Sequence, residues 1–334
     1  IFMSKIYPWQ NTQWQRFQEM QQQNRLPNAI LLSGPEGIGL KEFAKSAAMQ
    51  LLCQSNQIKT NSACGICKSC LLYTAGNHPD LYSIEPEDNS RQLKIAQIRG
   101  LIEYVTLKSF IGKRKIVIIE PADAMNRTTA NALLKTLEEP PSQSMLFLLS
   151  NIPSKLPITI RSRCQQIYFK PAHTNADIDW LQSKLVDTKY SAEALFRLSG
   201  GGPLRALSLV EGEQLEYRII LLKDLKLMSI KSCDTVQIAA NWQALGIDNI
   251  LNWLMKIILD LIRLKLLRER SHLINLDLKE DLQDIVNSLD LNSMVRNYNF
   301  VLLKHQQSLS LMNYNTLSII EEVLFYWNNS EMEN

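Results

Sequence analysis

The chain has 334 residues, 46% hydrophobic and 21% charged, proportions usual for a globular protein long enough for two or three domains. Twelve Gly and twelve Pro exclude collagen-like or low-complexity character, and 36 Lys and Arg against 33 Asp and Glu leave a net charge of +3, too mild to mark a nucleic-acid or membrane surface by bulk charge. The apolar stretch 251–267 is broken by Lys256, Asp260, Arg263 and Lys265, short of the roughly 20 uncharged residues that span a bilayer, and residues 1–10 lack a secretory pattern, so a soluble, cytoplasmic protein with no membrane partner is expected. Ile1 and Phe2 precede the first methionine.

In chain order, residues 10–25 are polar, free of Gly and Pro, and read as a helix. Ala29–Ser33 is a short apolar run that enters a glycine-rich turn, the pattern of a buried strand. Helical spacing of Phe43, Ala47, Leu51 and Leu52 follows over 40–54. Residues 80–84 read as a strand, and the stripe Ile95, Ile98, Leu101, Ile102, Val105 predicts a helix over 94–108. Residues 115–120 (KIVIIE) form the clearest strand, 126–139 a helix stopped by Pro140-Pro141, and 145–149 and 165–169 two more strands. Such alternation predicts an α/β fold with a mostly parallel sheet covered by helices. Beyond Pro171, residues 175–210 read as three short helices, and 212–330 as long amphipathic helices that include 215–228, 249–269 and 315–328. Boundaries are expected near 171 and 212.

Four of the six cysteines, Cys53, Cys64, Cys67 and Cys70, lie in a Cys-x10-Cys-x2-Cys-x2-Cys array. A Cys-x2-Cys knuckle brings two thiolates to one ion, and four thiolates suit a closed, structural zinc site with no position for a catalytic water. Gly65 supplies the backbone freedom such a knuckle needs. A redox Cys-x2-Cys pair or an unrelated cluster is the alternative. His78, in Asn77-His78-Pro79-Asp80, reads as part of a turn rather than as a ligand, and Cys164 and Cys233 stand alone.

The segment 33–41 (SGPEGIGLK) follows a strand and opens a helix, the context of a phosphate-binding loop. Gly34, Gly37 and Gly39 keep the glycine scaffold, but Leu40 stands where the phosphate-neutralising lysine belongs and Lys41 where the Mg²⁺-binding hydroxyl belongs. One residue along a helix is a rotation of about 100°, so Lys41 is not expected to replace that lysine. In KIVIIEPAD, Glu120 keeps the acid of a metal-binding strand end, whereas Pro121 replaces the carboxylate that would polarise water. Two such losses make ATP binding doubtful and hydrolysis by this chain unexpected.

Residues 131–141 (NALLKTLEEPP) and Ser162-Arg163-Cys164, together with the cysteine insertion and the altered loop, resemble the clamp-loader branch of AAA+ proteins, in its bacterial DNA polymerase III members. The motifs cover about 1–210; beyond them only helical character and length agree. The resemblance implies an AAA+ P-loop-type domain at 1–171 with a zinc module at 53–70, a small helical lid at 172–211, and a helical collar for oligomerisation at 212–334. It further implies a heteropentamer with gamma/tau and delta subunits that loads the beta sliding clamp onto primed DNA, within a DNA-directed DNA polymerase (nucleotidyltransferase) holoenzyme. By the same resemblance Arg163 acts in trans as an arginine finger on a neighbouring ATP site, with Arg161 the weaker choice. Gly34, Gly37, Gly39, Glu120 and Arg205 become a degenerate, vestigial nucleotide site. Arg205, in a sensor-2-like segment, either meets phosphate weakly or sits on a solvated helix face. Two other functions stay open: an autonomous AAA+ ATPase of gamma/tau type, and a zinc-dependent nucleic-acid-binding module, for which Lys59 and Lys68 make a faint electrostatic footprint.

Overall fold

The computed structural model describes residues 6–55, 63–87, 90–186, 188–229, 234–267, 273–308 and 315–330; Ile1, Phe2, Lys59 and Cys233 lie outside them. The chain forms two compact units, Ile1–Asp177 with Gly200–Arg205, and Ile178–Ser199 with Ala206–Asn334.

In the first unit, helix α1 (Asn11–Gln22) precedes strand β1 (Ala29–Ser33), and α2 (Leu40–Leu52) follows it. A short helix inside the cysteine segment, α3 (Lys68–Thr74), leads to β2 (Leu81–Ile84), α4 (Ile95–Thr106), β3 (Lys115–Ile119), α5 (Arg127–Glu138), β4 (Ser144–Ser150), α6 (Ile158–Arg161) and β5 (Gln165–Tyr168). The five strands are all parallel in the order β2-β3-β4-β1-β5. Leu31 faces Leu148 on one side and Gln166 on the other, so β1 lies next to both β4 and β5. Every residue of β1, β3 and β4 is buried, as continuous apolar runs in a parallel sheet require.

Alternation along these strands divides the core. Ala29, Leu31, Val117, Ile119, Leu146 and Leu148 pack with Ile98 and Leu101 of α4 and Leu133 and Leu137 of α5. On the other face, Phe17 of α1 meets Phe147 at 6.3 Å and Phe43 of α2 at 6.2 Å between ring centroids. Each fully buried side chain of this kind contributes roughly 1.5–3 kcal/mol. The start of α5 is set by Asn126, whose side chain accepts from the Thr129 amide at 2.9 Å, and Pro140-Pro141 follows its end.

Three short helices, α7 (Asn175–Gln182), α8 (Ala192–Ser199) and α9 (Pro203–Glu211), occupy the expected stretch 175–210. The second unit is otherwise built of α10 (Gln214–Ser229), α11 (Thr235–Gln243), α12 (Ile247–Leu266), α13 (Lys279–Ser288), α14 (Leu291–Ser308) and α15 (Thr316–Ser330). Helix α12 buries Ile250, Leu254, Ile257 and Leu261 and packs on α10, α13 and α14. Its charge Asp260 is fully buried because it accepts from the backbone amides of Ile274 at 2.9 Å and Asn275 at 2.7 Å. Arg218 of α10, also fully buried, is paired with Asp277 at 2.5 Å. No described helix is long and apolar enough to cross a membrane.

Candidate functional site

A parallel sheet places the loops after its strands at one end, where ligands of such folds bind. Residues after β1, β3 and β4 line a cavity of about 330 Å³ there, among them Gly37, Gly39, Lys41, Glu120, Pro121 and Asn151. The phosphate-like loop is thus brought to the acid-bearing strand end, as the sequence order implies. Gly34 carbonyl accepts from Asn151 Nδ2 at 3.0 Å. The loop is also covered from the N-terminal side: Trp9 Nε1 and Gln10 Nε2 both donate to the Ile38 carbonyl at 2.9 Å, and Gln10 donates to the Gly39 carbonyl at 2.8 Å. Gly37 has φ +76°, and a Cβ there would lie 2.3 Å from the Arg205 amide nitrogen, so only glycine fits. The Leu204 amide donates to the Gly37 carbonyl at 3.0 Å.

Both cations of this site are already matched by carboxylates. Lys41 Nζ lies 2.7 Å from Glu85 Oε1 and 3.1 Å from Glu120 Oε2. Burial would lower the Lys41 pKa, but Glu85 and Glu120 outweigh it and hold the ammonium above its ordinary range. Burial, with Glu85 and Glu42 adding repulsion, raises the Glu120 pKa although Lys41 opposes it. Arg205 is ion-paired with Glu36, which projects from the loop itself. Two cations therefore share the neighbourhood with the four carboxylates of Glu36, Glu42, Glu85 and Glu120. The surplus is negative, which opposes a nucleotide's phosphates. The ammonium of Lys41 stands against the carboxylate that a divalent cation would use.

Arg163 follows α6 with its side chain one-third exposed. Its guanidinium is held by Glu138 at 2.5 Å and donates to the Thr159 carbonyl at 3.0 Å. Glu138 belongs to the LLKTLEEPP segment, so the two sequence motifs around residues 131–141 and 162–164 meet in one ion pair. Cys164 beside it is buried, and burial pushes its thiol up to about 12.

The sulfurs of Cys53, Cys64, Cys67 and Cys70 all lie within 4.8 Å of one another, a group able to hold a metal ion. Gly65 has φ +72°, the left-handed conformation expected at the knuckle. Cys67 caps α3, its sulfur accepting from the Cys70 amide at 3.4 Å. Burial raises Cys53 and Cys70, whereas amide donors lower Cys64; at Cys67 burial is outweighed by the Cys70 and Gln54 amides and by neighbouring thiols, bringing it to about 6. His78 is outside the group: its Nε2 shares a hydrogen bond with Ser69 Oγ at 2.8 Å and its Nδ1 accepts from the Asp80 amide at 3.0 Å. Asp80 next to it is fully buried, accepting from the amides of Phe110, Ile111 and Gly112 at 2.6–2.7 Å and facing Lys115 at 3.6 Å. Burial alone would raise the Asp80 pKa; these amides and Lys115 lower it instead.

Sequence spacing missed Gln10, Glu36, Glu85 and Glu138. Each acts across a tertiary contact, and only the acid–base complementarity of Glu138 and Arg163 within two quoted motifs offered a signal.

Residues 9–173 match the family model described as DNA polymerase III, delta subunit, and residues 212–329 the one described as DNA polymerase III, delta subunit, C terminal. The chain is 34% identical over 326 residues to the DNA polymerase III subunit delta' of Pseudomonas aeruginosa, covering 97% of this chain and 98% of the relative. Against the Escherichia coli subunit delta' the identity is 29% over 318 residues, 95% of this chain and 94% of the relative. Subunit tau/gamma of Haemophilus influenzae is 38% identical over 147 residues, 44% of this chain but 21% of that protein.

Proposed function

The chain belongs to the family of DNA polymerase III subunit delta', and from that premise we propose that it is a clamp-loader subunit that hydrolyses no ATP itself and assists a neighbouring ATP site through Arg163. The observation that carries this reading is the phosphate-loop site, in which Lys41 and Arg205 are neutralised internally by Glu85, Glu120 and Glu36. Gly34, Gly37, Gly39, Glu120 and Arg205 then form a vestigial site whose glycines serve packing. Pro121 leaves no carboxylate to activate water.

Arg163 suits the trans role because a guanidinium stays charged and offers a planar fork to phosphoryl oxygens. Glu138 positions it in the free subunit, and an incoming triphosphate competes for the same fork. The partners on this reading are gamma/tau and delta subunits in a heteropentamer, which loads the beta sliding clamp onto primed DNA in the cytoplasm. The division into an AAA+-like domain at 1–171, a lid at 172–211 and a collar at 212–334 belongs to the same proposal.

Zinc fits the cysteine group. A tetrahedral ion with Zn–S of about 2.3 Å requires sulfurs about 3.8 Å apart. Here Cys53 lies 3.5 Å from Cys64 and 3.9 Å from Cys67, and Cys64 lies 3.9 Å from Cys70. The ion would be structural, since four sulfurs close its coordination, and the lowered Cys67 thiol supplies a thiolate near neutral pH.

ATP turnover by the purified chain tests the central reading. Negligible hydrolysis is expected, with co-purification of a gamma/tau-like subunit. Robust turnover abolished by Glu120→Gln would show an autonomous ATPase instead.

A further inference from the structure

The four cysteines reach their common point from two helices. Cys53 follows the end of α2, whereas Cys67 and Cys70 stand at the start of α3. A hydrogen bond ties these two arms beside the sulfurs: Ser69 Oγ donates to the Leu52 carbonyl at 2.5 Å. Ser69 precedes Cys70 and Leu52 precedes Cys53, so the bond joins the neighbours of two sulfur-bearing residues. Behind it stands His78, whose Nε2 lies 2.8 Å from the same Oγ and whose Nδ1 lies 3.0 Å from the Asp80 amide nitrogen. Ser69 is 1% exposed and His78 4%, so water does not enter this chain of contacts.

Proton counting fixes the direction of each bond. A carbonyl only accepts, so the single Ser69 hydroxyl proton points at Leu52 and away from the imidazole. Toward His78, Ser69 Oγ then only accepts, which places the ring proton on Nε2. The other end agrees: an amide N–H only donates, so Nδ1 facing Asp80 is bare. The Asp80 carboxylate is turned instead to the amides of Phe110, Ile111 and Gly112 and to Lys115. Ser69 and His78 are therefore not a nucleophile and its base, because the hydroxyl proton is committed elsewhere and the pair is closed to solvent. On the reading of the cysteine group as a zinc site, we propose that His78 and Ser69 are its positioning residues. His78, as the neutral Nε2–H tautomer, aims the Ser69 hydroxyl, and that hydroxyl holds the α3 arm against the end of α2, so the sulfurs converge before an ion arrives. Partners behind metal ligands fix ligand geometry in this way; here they act through the backbone beside the ligands rather than on sulfur.

The test is zinc release from the full chain into excess chelator, followed with a chromogenic zinc indicator. Ser69→Ala and His78→Leu should each speed release about tenfold or more, the scale on which such supporting partners act on metal affinity. The control His173→Leu removes an exposed imidazole outside the cysteine segment and should leave the rate unchanged. Circular dichroism and melting establish that each variant is folded, and Ser69→Ala reads the same link should His78→Leu unfold. Nitrogen-15 NMR of the wild-type chain near neutral pH gives a second readout, with the His78 proton expected on Nε2 and Nδ1 bare. Zinc-loaded wild type with that proton on Nδ1, or variants that melt earlier yet release zinc at the wild-type rate, overturns the proposal and leaves the zinc reading standing. Wild type that takes up no zinc overturns the zinc reading itself, and the positioning role with it.

Discussion

The cavity at the phosphate loop and a second cavity beside α5 are built from the same kinds of segment, loops that leave the C-terminal ends of parallel strands, yet their charge is opposite. At the loop, Lys41 and Arg205 are outnumbered and paired by Glu36, Glu85 and Glu120. Beside α5, the cavity holding Arg127, Lys155 and Arg161 is lined by no Asp or Glu among the described residues. A motif shape therefore does not identify a phosphate site. Local charge balance decides it, because a phosphate must repay the desolvation of its own charge with cations that are not already spoken for.

The largest effect is expected outside both cavities and serves as their control. Cys67→Ser removes one of the four thiols of the proposed zinc site, and structural zinc contributes roughly 10–16 kcal/mol in isolated finger peptides, less where the module hangs on a larger fold. Elemental analysis should give about one zinc per wild-type chain and much less in the variant. Hydrogen exchange should rise within 53–70 while β1, β3 and β4 stay protected; loss of protection across the sheet would mean the module and the cavities are not independent.

Next is Arg163→Ala. Arginine fingers contribute about 10³–10⁵ in rate at the site they serve. DNA-stimulated ATPase of a reconstituted complex should fall by less, because only one site borrows this residue, while nucleotide binding changes little. Lys should rescue poorly because a point charge lacks the fork. Wild-type rate and clamp loading in this variant would reduce Arg163 to the partner of Glu138.

Rebuilding the loop tests the charge argument directly. The double change Leu40→Lys with Lys41→Thr restores the lysine and hydroxyl pattern and frees Glu120 for Mg²⁺. Nucleotide affinity, read by equilibrium dialysis with MgATP, should improve about tenfold or more, the scale of one charged hydrogen bond. Turnover should stay negligible because Pro121 is unchanged. Addition of Glu36→Gln, which removes the carboxylate paired with Arg205, should sharpen the gain, and no gain from the triple change would remove charge balance as the cause.

The smallest effect is a pH dependence. Glu120 has a folded pKa raised above its ordinary value of 4.5, so between those two values the folded state holds a proton that the unfolded chain has released. Its stabilising contribution is complete below 4.5 and is lost as pH rises through the raised folded value. Urea denaturation across this window should show wild type losing stability relative to Glu120→Gln as pH rises, a small effect because the carboxyl is paired with Lys41. An opposite slope would mean that Lys41, rather than burial and Glu85, controls this carboxyl.

Much of the architecture was legible beforehand. The strand Ala29–Ser33 and the helices around 95–106 and 127–138 follow from runs and stripes of apolar residues, because burial of one face or of both is written in local spacing. The grouping of the four cysteines was equally legible, since they lie within eighteen residues of sequence. Short α3 and α6 were not, being only about two turns and one turn long, too short to carry an apolar stripe.

What the sequence determined by itself was periodicity, motif order and the chemical types at Leu40, Pro121, Arg163 and the four cysteines. Only the tertiary structure decided which charges meet. Lys41 finds Glu85 and Glu120 from separate strand ends, Arg205 finds Glu36, and Arg163 finds Glu138 across 25 positions, whereas Arg127, Lys155 and Arg161 meet at a cavity that no Asp or Glu lines among the described residues. The physical reason is range. Hydrophobic periodicity acts within a helix turn or a strand pleat, but a charge responds to every neighbour within a few ångströms, whatever its place in the chain.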